Sequence, residues 1–149
     1  MRDEGLGPRI AEELINSYEL PPQVEVLDRG VMGMALLSDL REAEEVLVID
    51  AVDHTGYPAG TVLRYYPKDM VYSQVFRGAH DTRLIDVLQA ADMLGYPVHC
   101  ECLGVQAADI NPPQYAIGLT SEVEAALPKL LSGVEHYLTE HGIPWQRKA

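Results

Sequence analysis

Asp50 follows the apolar run Val46-Leu47-Val48-Ile49 and is the single acid inside the segment VLVIDAV. A carboxylate at the end of a buried strand costs free energy unless it is paired or metal-bound. Two roles fit it: a metal-contacting group, or a helix cap or buried acceptor for a backbone N–H. His80 directly precedes a segment of helical periodicity. A helix N-terminus disfavours imidazolium, so a neutral, metal-competent ring is expected there, with a surface or capping histidine as the alternative. Asp3 and Glu4 lie just before the first helical segment, where the helix dipole also favours acids as caps. Together Glu4, Asp50 and His80 offer two carboxylates and one imidazole. That donor set suits a borderline divalent ion such as nickel or zinc, with open positions left for a substrate. Their wide separation in sequence leaves convergence open.

A second cluster is His99-Cys100-Glu101-Cys102. On a strand, Cys100 and Cys102 share one face and His99 and Glu101 the other. Cysteine is among the residues most often buried as a small hydrophobe, so a strand core is expected, with a metal site as the competing account. His54, His136 and His141 have no acidic or thiol partner at useful spacing and read as surface residues.

The elements that must position these groups alternate between helix and strand. Leu6, Ile10, Leu14, Ile15 and Tyr18 recur at helical spacing and predict a helix over about 7–18, with Pro8 near its start and Pro21-Pro22 beyond its end. Val24–Asp28 reads as a short strand, and a brief helix follows at about 33–41. The continuous apolar run Val46–Val52 has the character of a central strand buried on both faces. A strand at 61–66, a loop at 67–79, a helix at about 82–94 capped by Asp81, a strand at 98–105 and a long helix at 121–140 complete the chain. This alternation predicts an α/β domain, a three-layer sandwich whose mainly parallel twisted sheet is flanked by helices. Sites in such sheets form at the carboxyl ends of the strands, which directs attention to Asp28, Asp50 and the segment before the helix at 82.

Composition narrows the function. The 149 residues suit one domain, with 47% hydrophobic and 23% charged residues. No apolar run approaches the roughly 20 residues of a membrane helix. Met1–Gly5 has no apolar signal region, so a cytoplasmic location is the expectation. A net charge of −12 weighs against nucleic acid as a partner. Two cysteines are too few for a disulfide framework. The chain has no G-x-S-x-G, H-E-x-x-H, Walker loop or G-x-G-x-x-G, which removes support for the common serine hydrolase, zinc protease and nucleotide-binding readings.

Several segments resemble one family, in its order. Arg2-Asp3-Glu4-Gly5-Leu6-Gly7-Pro8-Arg9 resembles the D-(D/E)-G-x-G segment that opens the first helix of NiFe-hydrogenase maturation endopeptidases. Leu27-Asp28-Arg29-Gly30-Val31-Met32-Gly33 is similar to that family's L-D-G-G-T-x-G loop. Val48-Ile49-Asp50-Ala51-Val52 resembles its strand ending in D-A, and Ala79-His80-Asp81 through Leu84-Ile85-Asp86-Val87-Leu88 its H-x-x-x-L-x-D-(V/L)-L segment. Leu103-Gly104-Val105-Gln106, then Gly118-Leu119-Thr120-Ser121-Glu122-Val123, match its closing G-(I/V)-(Q/E) and G-L-(S/T)-x-x-V pair.

The resemblance implies a peptidase that removes the C-terminal extension of a NiFe-hydrogenase large-subunit precursor. The nickel already carried by the precursor serves as the recognition element, and zinc or cadmium can stand in for it on the isolated chain. Matching positions make Glu4, Asp50 and His80 the catalytic, metal-contacting triad and place Asp28 and Gly30 beside the substrate tail. The metal can polarise the scissile carbonyl or position a water, or a carboxylate can act as general base; the sequence leaves both open. The family normally begins with an apolar strand, roughly I-L-V-L-G-x-G-N, which this chain lacks before Asp3. A single domain over 1–149, short at its N-terminus, is therefore the expectation, from a displaced start or a genuine short form. Arg29 stands where the family usually has glycine. Two other functions compete: a binding module that docks on the nickel-loaded precursor without cutting it, and a small metal-binding protein built on Cys100 and Cys102.

Overall fold

The structure, a computed structural model, describes residues 5–28, 36–53, 55–67, 79–108 and 118–149, without the side chains of 79–84. The elements run α1 (Leu6–Ser17), β1 (Tyr18–Glu19), α2 (Leu36–Leu40), β2 (Glu45–Val52), β3 (Val62–Tyr65), α3 (Ala79–Met93), β4 (His99–Gln106), α4 (Ser121–Glu140) and β5 (Gln146–Arg147). Among the described residues no helix is long and apolar enough to cross a membrane.

The principal sheet has the order β2-β4-β3. β2 and β4 run parallel, with Glu45 opposite His99 and Val52 opposite Gln106. β3 runs antiparallel to β4, with Val62 opposite Val105 and Tyr65 opposite Cys102. The described sheet is therefore mixed, where the sequence suggested a mainly parallel one. The reason lies in the connection after β2. Residues 53–61 are fewer than the dozen or so that a parallel crossover needs, so the chain turns back. β4, buried from Cys100 to Gln106, is the central strand. β2, expected to be buried on both faces, is half-buried over 46–50, and β4 is its one strand neighbour among the described residues.

Strand alternation sorts the side chains into two cores. Leu47, Ile49, Ala51, Leu103, Val105 and Val62 face α1 and α4, packing with Leu6, Ile10, Leu14, Leu130 and Val134. Val46, Val48, Val52, Cys100, Cys102, Leu63 and Tyr65 face the other way, with Leu36 of α2 and Leu88 of α3. Val87 and Ala91 of α3 continue that layer against Leu40 of α2, Tyr96 and Val98. The result is the expected three-layer α/β sandwich. Gly104 permits its close packing: a Cβ there would lie 3.0 Å from the Tyr65 ring and 3.1 Å from Val52.

One expected strand does not form, and one strand pair appears that the sequence did not suggest. Val24–Asp28 forms no strand. A turn closed by Val24 N–H on the Pro21 carbonyl (3.0 Å) leads into irregular chain. Val26 packs on the α1/α4 core, but an alternating stretch becomes a strand only when it finds a neighbour to pair with. The short pair β1–β5, with Tyr18 opposite Arg147, has no sequence signal of its own. Side chains reinforce it. Tyr18 donates to Glu135 (2.6 Å), and Arg147 donates to the same carboxylate (2.6 Å).

Burial, then the hydrogen bond to Glu135, pushes the Tyr18 phenol up to about 12 from its ordinary 10.0. Tyr137 is likewise pushed up to about 12, by burial first and then by Glu45 and Glu101. The folded chain holds these protons where the unfolded chain releases them near pH 10. Their contribution to stability is full below pH 10 and is lost as pH rises toward 12. Urea unfolding at pH 9, 10 and 11 is expected to show falling stability, with a shallower fall in Tyr18→Phe; an unchanged slope in that variant would remove Tyr18 as a source.

Glu101 is buried on the α4 side. Arg64 Nε reaches its carboxylate at 2.8 Å, and the same guanidinium reaches Glu140 at 2.6 Å. Breaking a buried ion pair from one side leaves a charge without its partner, whereas an exposed pair contributes little. Arg64 is partly exposed, so Arg64→Met is expected to destabilise by about 1–3 kcal/mol in denaturant titrations. Adding Glu101→Gln should recover part of that loss, because it removes the stranded charge.

Candidate functional site at the carboxyl end of the parallel strands

Asp50 lies in β2 opposite Gly104, on the face shared with Val48, Val52 and Tyr65. It thus faces the α2/α3 layer near the carboxyl end of the parallel pair. Its side chain is half-buried, and Oδ1 accepts the Ala51 N–H at 2.8 Å, which orients the carboxylate. The backbone-acceptor role expected for Asp50 is therefore present.

His80 is the second residue of α3. The sequence placed it in a loop with Asp81 as cap. The helix instead begins at Ala79, and Asp81 falls in its first turn, where an acid suits the dipole. The direction of α3 matters for function. Its later residues Val87 and Ala91 pack near Val46 and Val98, at the amino ends of β2 and β4. The helix has 15 residues and is about 22 Å long. Its first turn therefore points toward the carboxyl ends of the strands, on the face that carries Asp50.

Glu4 and Gly30 lie outside the described residues, as do Asp3, Arg29 and His54. The start of α1 is placed, however: a Cβ on Gly7 would sit 3.7 Å from the Ile49 carbonyl oxygen. The segment that follows Glu4 thus begins beside the residue preceding Asp50. Asp28 is exposed on the irregular stretch after the Pro21–Val24 turn. A groove between α1 and α4, lined by Arg9, Glu13, Glu124, Leu127, Pro128 and Leu131, contains none of these candidates.

The second cluster separates as its alternation predicted. Cys100 and Cys102 are buried thiols in the α2/α3 layer, with no disulfide between them. His99 is exposed on the opposite side and bonds Glu45 at 2.8 Å. No group of three or more His, Cys, Asp or Glu among the described residues is arranged to hold a metal ion. His136 is exposed as expected and His141 is only partly so, but both have acidic neighbours that the sequence did not suggest. His136 meets Glu140 at 2.9 Å, and His141 lies against Tyr137, 3.8 Å from Glu45.

Sequence reasoning gave Gln106 no role beyond membership of a motif. It ends β4 on the Asp50 face, opposite Val52, with its side chain buried. Its amide binds Thr55, Asp53 and the Ala107 carbonyl. A polar residue closing an apolar strand is the same signal that singled out Asp50.

A parallel strand pair that carries an acid near its carboxyl end, beside a helix whose first turn holds a histidine, is an α/β arrangement with a candidate site at the carboxyl end of the strands. The chain matches the family model "Hydrogenase maturation protease" over residues 8–136. It is 34% identical over 146 residues to hydrogenase 2 maturation protease of Escherichia coli, covering 96% of this chain and 87% of that one. It is 33% identical to hydrogenase expression/formation protein HupD of Thiocapsa roseopersicina, covering 98% of this chain and 66% of that protein. The solved structure of the hydrogenase maturating endopeptidase HybD from E. coli superposes with a TM-score of 0.85 at 32% identity, covering 99% of this chain and 91% of that chain. This chain belongs to the hydrogenase maturation protease family, and it is by that membership a hydrolase of the peptidase class.

Proposed function

We propose that this chain removes the C-terminal extension of a NiFe-hydrogenase large-subunit precursor after nickel insertion, in the cytoplasm. In this reading the nickel is part of the substrate. Asp50 and His80, with Glu4, contact it and so admit only precursor that is already loaded. Asp28 and Gly30 flank the tail to be cut. The observation that carries the reading is the orientation of Asp50 in β2 and of the first turn of α3 toward one end and one face of the sheet. Two carboxylates and an imidazole form a mixed oxygen and nitrogen set suited to a borderline ion, including zinc or cadmium on the isolated chain.

The chain's own part in cleavage is to orient. The Ala51 N–H bond holds the Asp50 carboxylate in one direction, and a positioned carboxylate can take a proton from an attacking water. The test is incubation with nickel-loaded precursor, followed by mass spectrometry, beside a His80→Ala control. Loss of a C-terminal peptide with the native chain and not with the control supports the reading. An intact precursor that nonetheless co-purifies with the chain would identify a docking module instead, and an intact precursor without binding would end both.

A further inference from the structure

Gln106 is a buried amide at the end of the central strand, where an apolar side chain would satisfy the sheet equally well. Buried polar groups are costly unless every hydrogen-bonding position is met. Here all of them are met. The oxygen Oε1 accepts from Thr55 N–H at 3.1 Å and from the Thr55 hydroxyl. The nitrogen Nε2 donates to Asp53 Oδ1 at 3.1 Å and to the Ala107 carbonyl at 2.9 Å. An amide has two donors and two acceptor positions, and each faces a group of the opposite kind. The Thr55 N–H can only donate and the Ala107 carbonyl can only accept, so the orientation of the amide is fixed.

The backbone of the same residue holds the far side of the connection. Gln106 N–H donates to Thr61 (2.9 Å), and its carbonyl accepts from Gly60 N–H (2.8 Å). One residue therefore grips the chain both where it leaves β2 and where it enters β3. It lies opposite Val52, one step along the same face from the Asp50–Gly104 pair, about 7 Å away.

We propose, resting on the peptidase reading above, that Gln106 is a positioning residue of the trimming reaction: its amide fixes Asp53 and Thr55, and through them the exit of the strand that carries Asp50. A misplacement of about 1 Å at a reacting centre can cost on the order of a hundredfold in rate. The amide acts through geometry and need not touch the substrate.

The test is a charge-pattern exchange in the full chain, read by steady-state trimming of nickel-loaded precursor. Gln106→Glu keeps the shape but turns an acceptor toward Asp53 and Ala107. It is expected to lower kcat about 10–100-fold while KM stays within about threefold. The double variant Asp53→Asn with Gln106→Glu restores a donor facing an acceptor at position 53, leaves the Ala107 carbonyl facing an acceptor, and is expected to recover at least about threefold of the lost kcat. A generally loosened structure would not show that rescue. If Gln106→Glu does not fold, Gln106→Asn replaces it, with the same amide on a shorter arm and the same expected kcat loss. Native kcat in the single variant, or a double variant no better than the single one, overturns the assignment alone. A native chain that leaves the precursor intact overturns the peptidase reading and the assignment with it.

Discussion

Asp50→Asn is expected to fold with near-native stability and to lose at least about a hundredfold in precursor trimming, the scale set by removing one positioned proton-transfer or charge-stabilising group. The two halves of this prediction come from different parts of the side chain. Oδ1 accepts the Ala51 N–H at 2.8 Å, and an asparagine oxygen can keep that bond. The half-buried position then retains its volume and its backbone partner, so little stability is at stake. The negative charge is lost, and with it the preference for a cation and the capacity to take a proton. Asp50→Ala removes the acceptor as well and should lose stability in addition to activity, which makes the asparagine variant the cleaner one. The checks are precursor mass over time and a thermal melt of the same samples. Trimming at the native rate by Asp50→Asn would take the Asp50 charge out of the reaction and leave its bond to the Ala51 N–H as a structural one.

The expectation that Asp50 and His80 share a site had different origins for its two members. Asp50 was legible because a charge interrupting VLVI has few explanations. Its face followed from strand alternation once the neighbours were known. His80 was legible as a residue at a helix start, but the helix begins at Ala79, three residues before the expected 82, because Ala79 and the acid at 81 extend it backward. The division of Cys100 and Cys102 from His99 and Glu101 needed only the period of two.

Other features depend on partners distant in sequence. Glu101 looks like an error inside an apolar strand until Arg64 is seen beside it on the neighbouring strand. The antiparallel β3 could have been inferred from the short connection after Val52, whereas its place beside β4 and not β2 could not. The β1–β5 pair joins residues nearly the whole chain apart, and two-residue strands have no period to read. Gln106 sat in a recognised motif without a function, because its amide is explained only by Asp53 and Thr55.

The same connection supplies the largest expected effect on stability, at Gly60. Its φ is +87°, in the left-handed region where a Cβ costs about 1–2 kcal/mol. A Cβ there would also lie 2.6 Å from the Glu122 carbonyl oxygen, in the first turn of α4. That oxygen belongs to helix backbone and cannot swing aside as a side-chain end would. Overpacking against rigid groups adds about 1–3 kcal/mol. Gly60→Ala is therefore expected to destabilise the chain by about 2–5 kcal/mol, a fall of roughly 5–20 °C in Tm for a domain of this size. Differential scanning calorimetry would measure it. The consequence reaches the site, because Gly60 N–H donates to the Gln106 carbonyl, so moving Gly60 off α4 strains the residue that holds the exit of β2. Trimming by the folded fraction should therefore fall as well as the melting temperature. Gly56 is the internal control: its φ is +83°, but open space surrounds the added Cβ. Gly56→Ala should incur the backbone cost of about 1–2 kcal/mol alone and leave trimming intact. Equal losses of stability in the two variants would show that the contact with α4 contributes nothing and that backbone conformation is the whole effect.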